Sequence, residues 1–288
     1  MPSPAGSTPP SADPPVRKAV LLTHGRPDQV GDGVARVAAV ARAAGVELVV
    51  EAEEAAKHGL PQHGDPAGVD LALVLGGDGT MLRALQRFLG TDTPVLGVNF
   101  GRVGFLCAIE PDELETGVAR AFAGELVRVE LPTLATHNST SGAHVAVNDV
   151  VVTSAELGRM VELEWAVGGE DLGTVSCDGL ICSTPSGSTA YNLSNGGPVL
   201  MWGIDATAVT FVAPHSLHAR PLVVPRGREI EVWNRTLDVA VAVLVDGHRV
   251  GDAGPGERVT VTLGPSHSLL GTLPGATFVG RYRTTFAT

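Results

Sequence analysis

Aromatic residues are scarce in this chain: Phe, Trp and Tyr make up 4% of its 288 residues, against 44% for hydrophobic residues as a whole. Any core must therefore be built mainly from Val, Leu and Ala. The length suggests two domains or one large one and suffices to bury a sizeable core. Basic charge is also short. Lys and Arg number 20 against 31 Asp and Glu, for a net charge of −11. That balance argues against a general nucleic-acid binder or a partner for an acidic membrane surface. A phosphate-bearing ligand would need local help from arginines, helix ends or Mg²⁺. Cysteine is limited to Cys107, Cys177 and Cys182. An odd count at irregular spacing gives no disulfide framework and fits a reducing compartment. Zinc shared by Cys177, Cys182 and a histidine is the weaker reading, because the spacing matches no zinc signature. No run of about 18 uninterrupted apolar residues occurs, so no membrane-spanning helix is expected. Residues 1–15 hold six prolines and neither a basic region nor a long apolar run. They read as a disordered tail and not as a signal peptide. A soluble cytoplasmic protein is expected. Two phosphate-binding signatures are missing too. Neither G-x-x-x-x-G-K-[ST] nor G-x-G-x-x-G occurs, which disfavours an ordinary P-loop enzyme or dinucleotide oxidoreductase.

What is there begins with alternation. Short apolar runs at 19–22, 47–50, 71–75 and 94–98 read as buried strands, and 31–44, the stretch after residue 80 and 111–124 read as helices. Strands alternating with helices predict an α/β layer on a parallel sheet over residues 16–125. The texture changes near 126. Strands are expected at 127–131, 145–152, 161–167, 208–213, 229–234, 238–245 and 258–263, with turns at Gly168-Gly169 and Asp246-Gly247. Residues 126–264 thus read as a β-rich domain with few helices beyond 188–195. The stretch 272–288 shows no clear pattern, and no internal repeat is present.

Three stretches carry chemistry. In "VLGGDGTMLRAL", residues 74–85, a buried strand runs into Gly76-Gly77-Asp78-Gly79-Thr80. Met81, Leu82, Leu85, Phe88 and Leu89 then mark one helix face, with Gly90 as a stop. Such a strand-to-helix turn offers free N–H groups and a favourable dipole to a phosphate. Asp78 is the odd member: beside phosphates a carboxylate must hold a metal ion or take a proton. A plain tight turn with a capping Asp or Thr fits the residues as well. In "CDGLICSTPSGSTAYNLSNGGPV", residues 177–199, several hydroxyls converge on one helix start. That suits sugar hydroxyls, a base edge or phosphate, and a capped Ser/Thr-rich turn fits too. Asn148-Asp149 interrupts the apolar "VAVNDVVVT" and needs either a bulge or partners. His215 and His218 at i, i+3, near Arg220, invite a metal reading, though loop or core histidines are the commoner case.

Together these stretches resemble the NAD kinases. The resemblance rests on Gly76 to Thr80, on Asn148-Asp149 in a strand, and on Asp178 to Tyr191. The loop Gly101-Arg102-Val103-Gly104-Phe105-Leu106 and Pro214-His215-Ser216-Leu217 add to it. It covers most of residues 19–250. Gly-Gly-Asp-Gly-Thr alone is also seen in phosphofructokinases and diacylglycerol-type lipid kinases; the Asp178–Tyr191 segment is more specific. The resemblance implies an α/β Rossmann-like N-terminal domain and a β-rich C-terminal domain with the site between them. It also implies that residues 265–288 return to the first domain. The implied reaction moves the γ-phosphoryl of ATP to the 2′-hydroxyl on the adenosine ribose of NAD, giving NADP. Asp78 would face the reacting hydroxyl or the Mg²⁺ carried with ATP. Gly76, Gly77, Thr80, Arg26 and Arg102 would serve the donor phosphates. Gly79, Phe105, Asn148, Asp149, Asp178, Ser186, Thr189, Ala190 and Tyr191 would serve the acceptor, with Phe105 packed on adenine and Asp178 near the nicotinamide. The family is usually dimeric or tetrameric.

The chain departs from the family's pattern in several places. Asp149 replaces the commoner Glu, Cys107 a Thr, Asn195 an Ala or Gly, and His248 a Gln; "LMWGID" lacks the usual His-Pro. A kinase of the same fold for another nucleotide or nucleoside therefore stays open. So does a catalytically silent NAD-binding regulator, against which the presence of Asp78 speaks. Tyr191→Ala is expected mainly to weaken nucleotide affinity in a binding titration. A loss of melting temperature with affinity intact would make Tyr191 a core residue instead.

Overall fold

The computed structural model describes residues 14–101, 104–140, 142–216 and 219–286. The chain divides into two compact units. The first takes residues up to Ala84, Asp92–Val129 and the chain from Leu269 on; the second takes Leu85–Thr91 and Glu130–Ser268.

The first unit opens with β1 (Lys18–Thr23), α1 (Gly33–Ala44), β2 (Glu47–Val49), α2 (Ala52–His58), β3 (Leu71–Gly76), α3 (Asp78–Arg87), β4 (Val95–Asn99) and α4 (Leu114–Phe122). Strand order is β2-β1-β3-β4, all parallel. β3 lies between two neighbours and every one of its residues is buried. Its unbroken apolar run follows from having both faces covered. Leu21, Leu71, Leu73, Leu75 and Leu96 pack with Val34 and Val37 of α1 and Val118 and Phe122 of α4. α1 and α2 stop at Gly45 (φ 69°) and Gly59 (φ 63°), left-handed caps that glycine adopts without strain.

The second unit holds β5 (Val127–Asn138), β6 (Gly142–Ala146), β7 (Asp149–Ser154), β8 (Val161–Val167), β9 (Glu170–Cys177), β10 (Gly179–Ser183), α5 (Tyr191–Ser194), β11 (Ala206–Val212), β12 (Leu222–Pro225), β13 (Ile230–Asn234), β14 (Val241–Val245), β15 (His248–Ala253) and most of β16 (Arg258–Thr272). β12-β11-β10-β7-β14-β15 form one antiparallel sheet; β16, β13, β8 and β9 pair in that order, with β5 joining β16 and β6. One core takes Val150, Leu180, Val209 and Val243 from the first sheet and Leu163, Trp165, Val232 and Val259 from the second group. Trp165 meets Phe211 edge-on at 5.4 Å. Both hairpin turns have two left-handed residues, Gly168 (60°) and Gly169 (82°), Asp246 (48°) and Gly247 (80°), the geometry that matches strand twist. From Leu269 the chain belongs to the first unit: Leu270 pairs in parallel with Val95, and α6 (Phe278–Phe286) follows.

Three expectations are corrected. The strand expected over 145–152 is two strands, β6 and β7, with a bend at Val147-Asn148. The patternless stretch 272–288 contains α6, of which Phe278 and Phe286 pack on Phe105. The segment 188–195 is a 3₁₀ turn at Gly187–Thr189 and a single helical turn, α5.

Gly97 on β4 sets how closely α3 lies on the sheet. A Cβ there would stand 2.5 Å from Met81 Sδ and 2.9 Å from Cys107 Sγ, and Met81 is fully buried. Gly97→Ala should therefore cost ~1–3 kcal/mol, the usual range for overpacking. Denaturant unfolding checks it: an unchanged midpoint would mean that α3 has room to move.

Candidate functional site

In the first unit, the Gly76–Thr80 turn leaves β3 and enters α3 at Asp78. The Gly77 carbonyl accepts the N–H groups of Thr80 (2.9 Å) and Met81 (3.0 Å), which starts the helix. The Gly77 and Gly101 backbones touch. A Cβ on Gly101 would lie 2.9 Å from Gly77 Cα, and one on Gly77 3.3 Å from Gly101 Cα, so a side chain at Gly101 would push the two backbones apart. Gly79 is different: a Cβ there would meet nothing within 4 Å. Glycine in a helix costs about 1 kcal/mol against Ala, and no packing among the described residues demands it; the space above the backbone is open to a ligand. Around the turn lies a cleft of about 330 Å³ lined by His24, Gly77, Gly79, Thr80, Arg83 and Gly101. It joins N–H groups of a helix start to two side chains able to carry positive charge, an anion-binding arrangement.

Asp78 faces the loop after β4. Its Oδ2 accepts the Phe105 N–H and its Oδ1 the Leu106 N–H, each at 2.9 Å. Burial pushes its carboxyl up; these two bonds and the charge of Arg281 pull it back. Each oxygen keeps a lone pair for a further partner. α6 holds the same loop from its other side. Arg281 donates from an Nη to the Phe105 carbonyl at 2.7 Å, and Phe278 and Phe286 pack on the Phe105 ring at 5.1 and 5.9 Å.

In the second unit, the 147–149 bend meets the Ser/Thr segment. Thr184 donates its N–H to the Asn148 carbonyl (2.9 Å) and its hydroxyl to the Val147 carbonyl (2.7 Å). Ser186 Oγ donates to Asn148 Oδ1 at 3.1 Å. A Cβ on Gly187 would overlap the Asn148 carbonyl, so this glycine is required by close approach. The carboxyl of Asp149, 6% exposed, is pushed up to about 7, by burial first and by the charge of Asp246 second.

Residues 32–126 match the ATP-NAD kinase N-terminal domain, and residues 147–271 the ATP-NAD kinase C-terminal domain. The chain belongs to the NAD kinase family. It is 41% identical over 220 residues to the NAD kinase of Gemmatimonas aurantiaca, spanning 75% of this chain and 76% of that one. It is 38% identical over 239 residues to the NAD kinase of Leifsonia xyli, spanning 81% and 79%. Among solved structures, an Archaeoglobus fulgidus NAD kinase in complex with ATP aligns with a TM-score of 0.73 at 25% identity, over 94% of this chain and 97% of that one. A yeast NADH kinase complexed with NADH shares the fold with a TM-score of 0.83 at 22% identity, over 98% and 92%.

The fold thus brings some family positions together and leaves others apart. Gly77, Gly79 and Thr80 line the cleft, and Gly76 sits just beneath it under the Thr80 side chain. Arg26 is exposed and bonded through its N–H to His24 Nδ1, and it does not line the cleft. His24 and Arg83 do, and neither stood out in the sequence. Arg102 and His218 lie outside the described residues. Phe105, expected on adenine, is 3% exposed and its ring is covered by α6. The sequence could not show this, because α6 itself left no pattern. Asn148, Asp149 and Ser186 converge. Thr189, half-buried, donates its hydroxyl to the Ser186 carbonyl, while Ala190 and Tyr191 are exposed one turn on. Asp178 sits at the far end of β10, whose other end, Ser183, pairs with Asp149. At ~3.3 Å per residue that places it roughly 17 Å from Asp149 along the strand. Cys177 and Cys182 are both core residues with thiols pushed up to about 12 by burial, unlike zinc-ligating thiolates. His215 is exposed and donates its N–H to the Ser176 carbonyl.

Asp149 also ties stability to pH. Its folded value lies above the ordinary carboxylate value, so the folded state holds the proton more tightly. That stabilisation is intact below about pH 4 and lost as pH rises through about 7. Asp149→Asn, neutral throughout, should raise the melting temperature relative to wild type at about pH 8 and leave it unchanged near pH 4. Equal differences at both pH values would refute the shift.

Proposed function

We propose that the protein is an NAD kinase, transferring the γ-phosphoryl of ATP to the 2′-hydroxyl of the adenosine ribose of NAD to give NADP. The observation that carries this reading is the glycine cleft at the start of α3, with Gly79 open to a ligand and Asp78 beside it. The relatives named NAD kinase, and the neighbour solved with ATP, support it. Donor phosphates suit the cleft, where the α3 N–H groups and His24 offer hydrogen bonds and Arg83 offers positive charge. The bend at Asn148-Asp149, with Ser186 against it, suits the ribose and base edges of the acceptor. Thr189, Ala190 and Tyr191 extend that surface.

Mg²⁺ travelling with ATP fits the residues present. Among the described residues no three ligating side chains gather, and this ion is commonly held by one or two carboxylates, phosphates and water. Asp78 would be the carboxylate to touch it. When bound, the ion would neutralise charge on the transferring phosphoryl group. Asp78 would orient the ribose hydroxyl or take its proton, using the lone pairs that Phe105 and Leu106 leave free. The main-chain bonds to Phe105 and Leu106 keep its carboxylate fixed, so alignment is built in before substrate arrives. The three free, buried cysteines fit a reducing, cytoplasmic setting.

The test is to incubate the protein with ATP, Mg²⁺ and NAD and to detect NADP with an NADP-specific dehydrogenase. Asp78→Asn should lose ~10²–10⁴ in turnover with its melting temperature retained. Near-normal turnover would remove Asp78 from the chemistry. No NADP from a folded wild type that binds ATP would direct the search to other ribose-bearing acceptors.

A further inference from the structure

The bend at residues 147–149 is held from outside its own strands. Asp246, at the first left-handed position of the β14–β15 turn, is buried. Its Oδ2 accepts the Val147 N–H at 2.8 Å and the side-chain amide of Gln86 at 2.6 Å. Its Oδ1 accepts the Asn148 N–H at 2.7 Å and the Asp149 N–H at 3.1 Å. Three consecutive N–H groups converging on one anion make a backbone nest, the device that elsewhere binds a phosphate or carboxylate ligand. Here the anion is built into the chain. A main-chain bond returns from Asp246 N–H to the Asp149 carbonyl at 2.9 Å. On the opposite side, Thr184 holds the Val147 and Asn148 carbonyls. Both sides of the bend are therefore fixed, and the directions of the Asn148 and Asp149 side chains with them.

We propose that Asp246 is a positioning residue for the acceptor: by gathering the three N–H groups it aims Asn148 and Asp149 at the ribose. The inference rests on the reading that this pair binds the acceptor. Asp246 also acts through its charge. Across β10 the residue facing Asp149 is Ser183, and on β14 the nearest paired residue is Val245, opposite Val150. The charged group acting on Asp149 is Asp246. Two carboxylates buried together do not both ionise readily. Asp246 accepts four N–H donors, and the carboxyl of Asp149 is pushed up to about 7, by burial first and by the charge of Asp246 second. Acceptor binding thereby gains a titration near neutral pH that a merely structural turn residue would not give it.

The experiment is steady-state kinetics with NAD and ATP varied separately across pH. Wild type, Asp246→Asn and Gln86→Leu are compared, with Asn148→Ala and Asp149→Asn as acceptor controls. Asp246→Asn should raise the KM for NAD by about tenfold, the scale of one charge-assisted hydrogen bond. The KM for ATP should stay within about twofold. The pH inflection of the NAD KM should move down, because the repelling charge is gone, and Asp149→Asn should abolish it. Gln86→Leu removes a single donor from the same carboxylate and should give a smaller rise for NAD only; it carries the test if Asp246→Asn does not fold. Asp246→Asn folded, with an unchanged NAD KM or an unmoved inflection, overturns the inference, as does an equal rise for both substrates or a flat Gln86→Leu. If Asn148→Ala and Asp149→Asn leave the NAD KM unchanged, the acceptor reading fails and takes this inference with it.

Discussion

A carboxylate accepting main-chain N–H groups from a distant part of the chain is the interaction on which both candidate sites hang. Asp78 takes the N–H groups of residues 27 and 28 positions further on. Asp246 reaches back 97 to 99 positions to three in a row. The device recurs at lower stakes. Asp70 accepts the N–H groups of Arg17 and Lys18, and Glu54 that of Thr23. Part of the acidic excess of the sequence thus serves the fold, at main-chain donors 31 to 53 positions away.

Such bonds suit a site better than a salt bridge would. A carboxylate held by backbone donors keeps its place while the side chains around it remain free for a ligand, and charged hydrogen bonds are the stronger kind. They also answer the burial that would otherwise strip the charge. At Asp78, burial is opposed by two main-chain donors and by Arg281. Asp149 has no comparable support against burial and the neighbouring charge, and its carboxyl rises to about 7. Burial pushes both carboxyls up, and the surroundings differ in what opposes that push.

Much of the fold was legible, and the reasons are local. The run Leu71–Leu75 is apolar on both faces because β3 is central, and the glycines of the turn follow it directly. Gly168-Gly169 and Asp246-Gly247 are turn signatures whose backbone needs are met within two residues. The failures are all long-range. The strand expected over 145–152 has the composition of one strand and is broken by a carboxylate some hundred residues away. Asp246 was readable as a turn and not as a clamp, since nothing in a sequence says where an Asp side chain points. α6 has no strong apolar stripe, and its start is marked by the Thr277 hydroxyl accepting the Gly280 N–H; it covers Phe105, so an expectation that set this ring against adenine had no way to see the occupant. His24 and Arg83 belong to the cleft because β1 lies beside β3, a pairing between segments some fifty residues apart.

The first unit is assembled from three separate lengths of chain, and the last of them begins at Leu269. Leu270 completes its sheet beside Val95, and Arg281 and Phe286 close over the loop that Asp78 holds. On the ribosome those residues emerge only after the whole of the second unit has been made. The amino-terminal part, with its glycine turn already translated, must therefore wait unfinished through the synthesis of some 140 further residues, exposing apolar surface that calls for protection meanwhile. Arg281, whose charge acts on the carboxylate at the start of α3 and whose side chain holds the loop around it, is made after all of these, so a nascent chain has the residues for chemistry before their setting is complete.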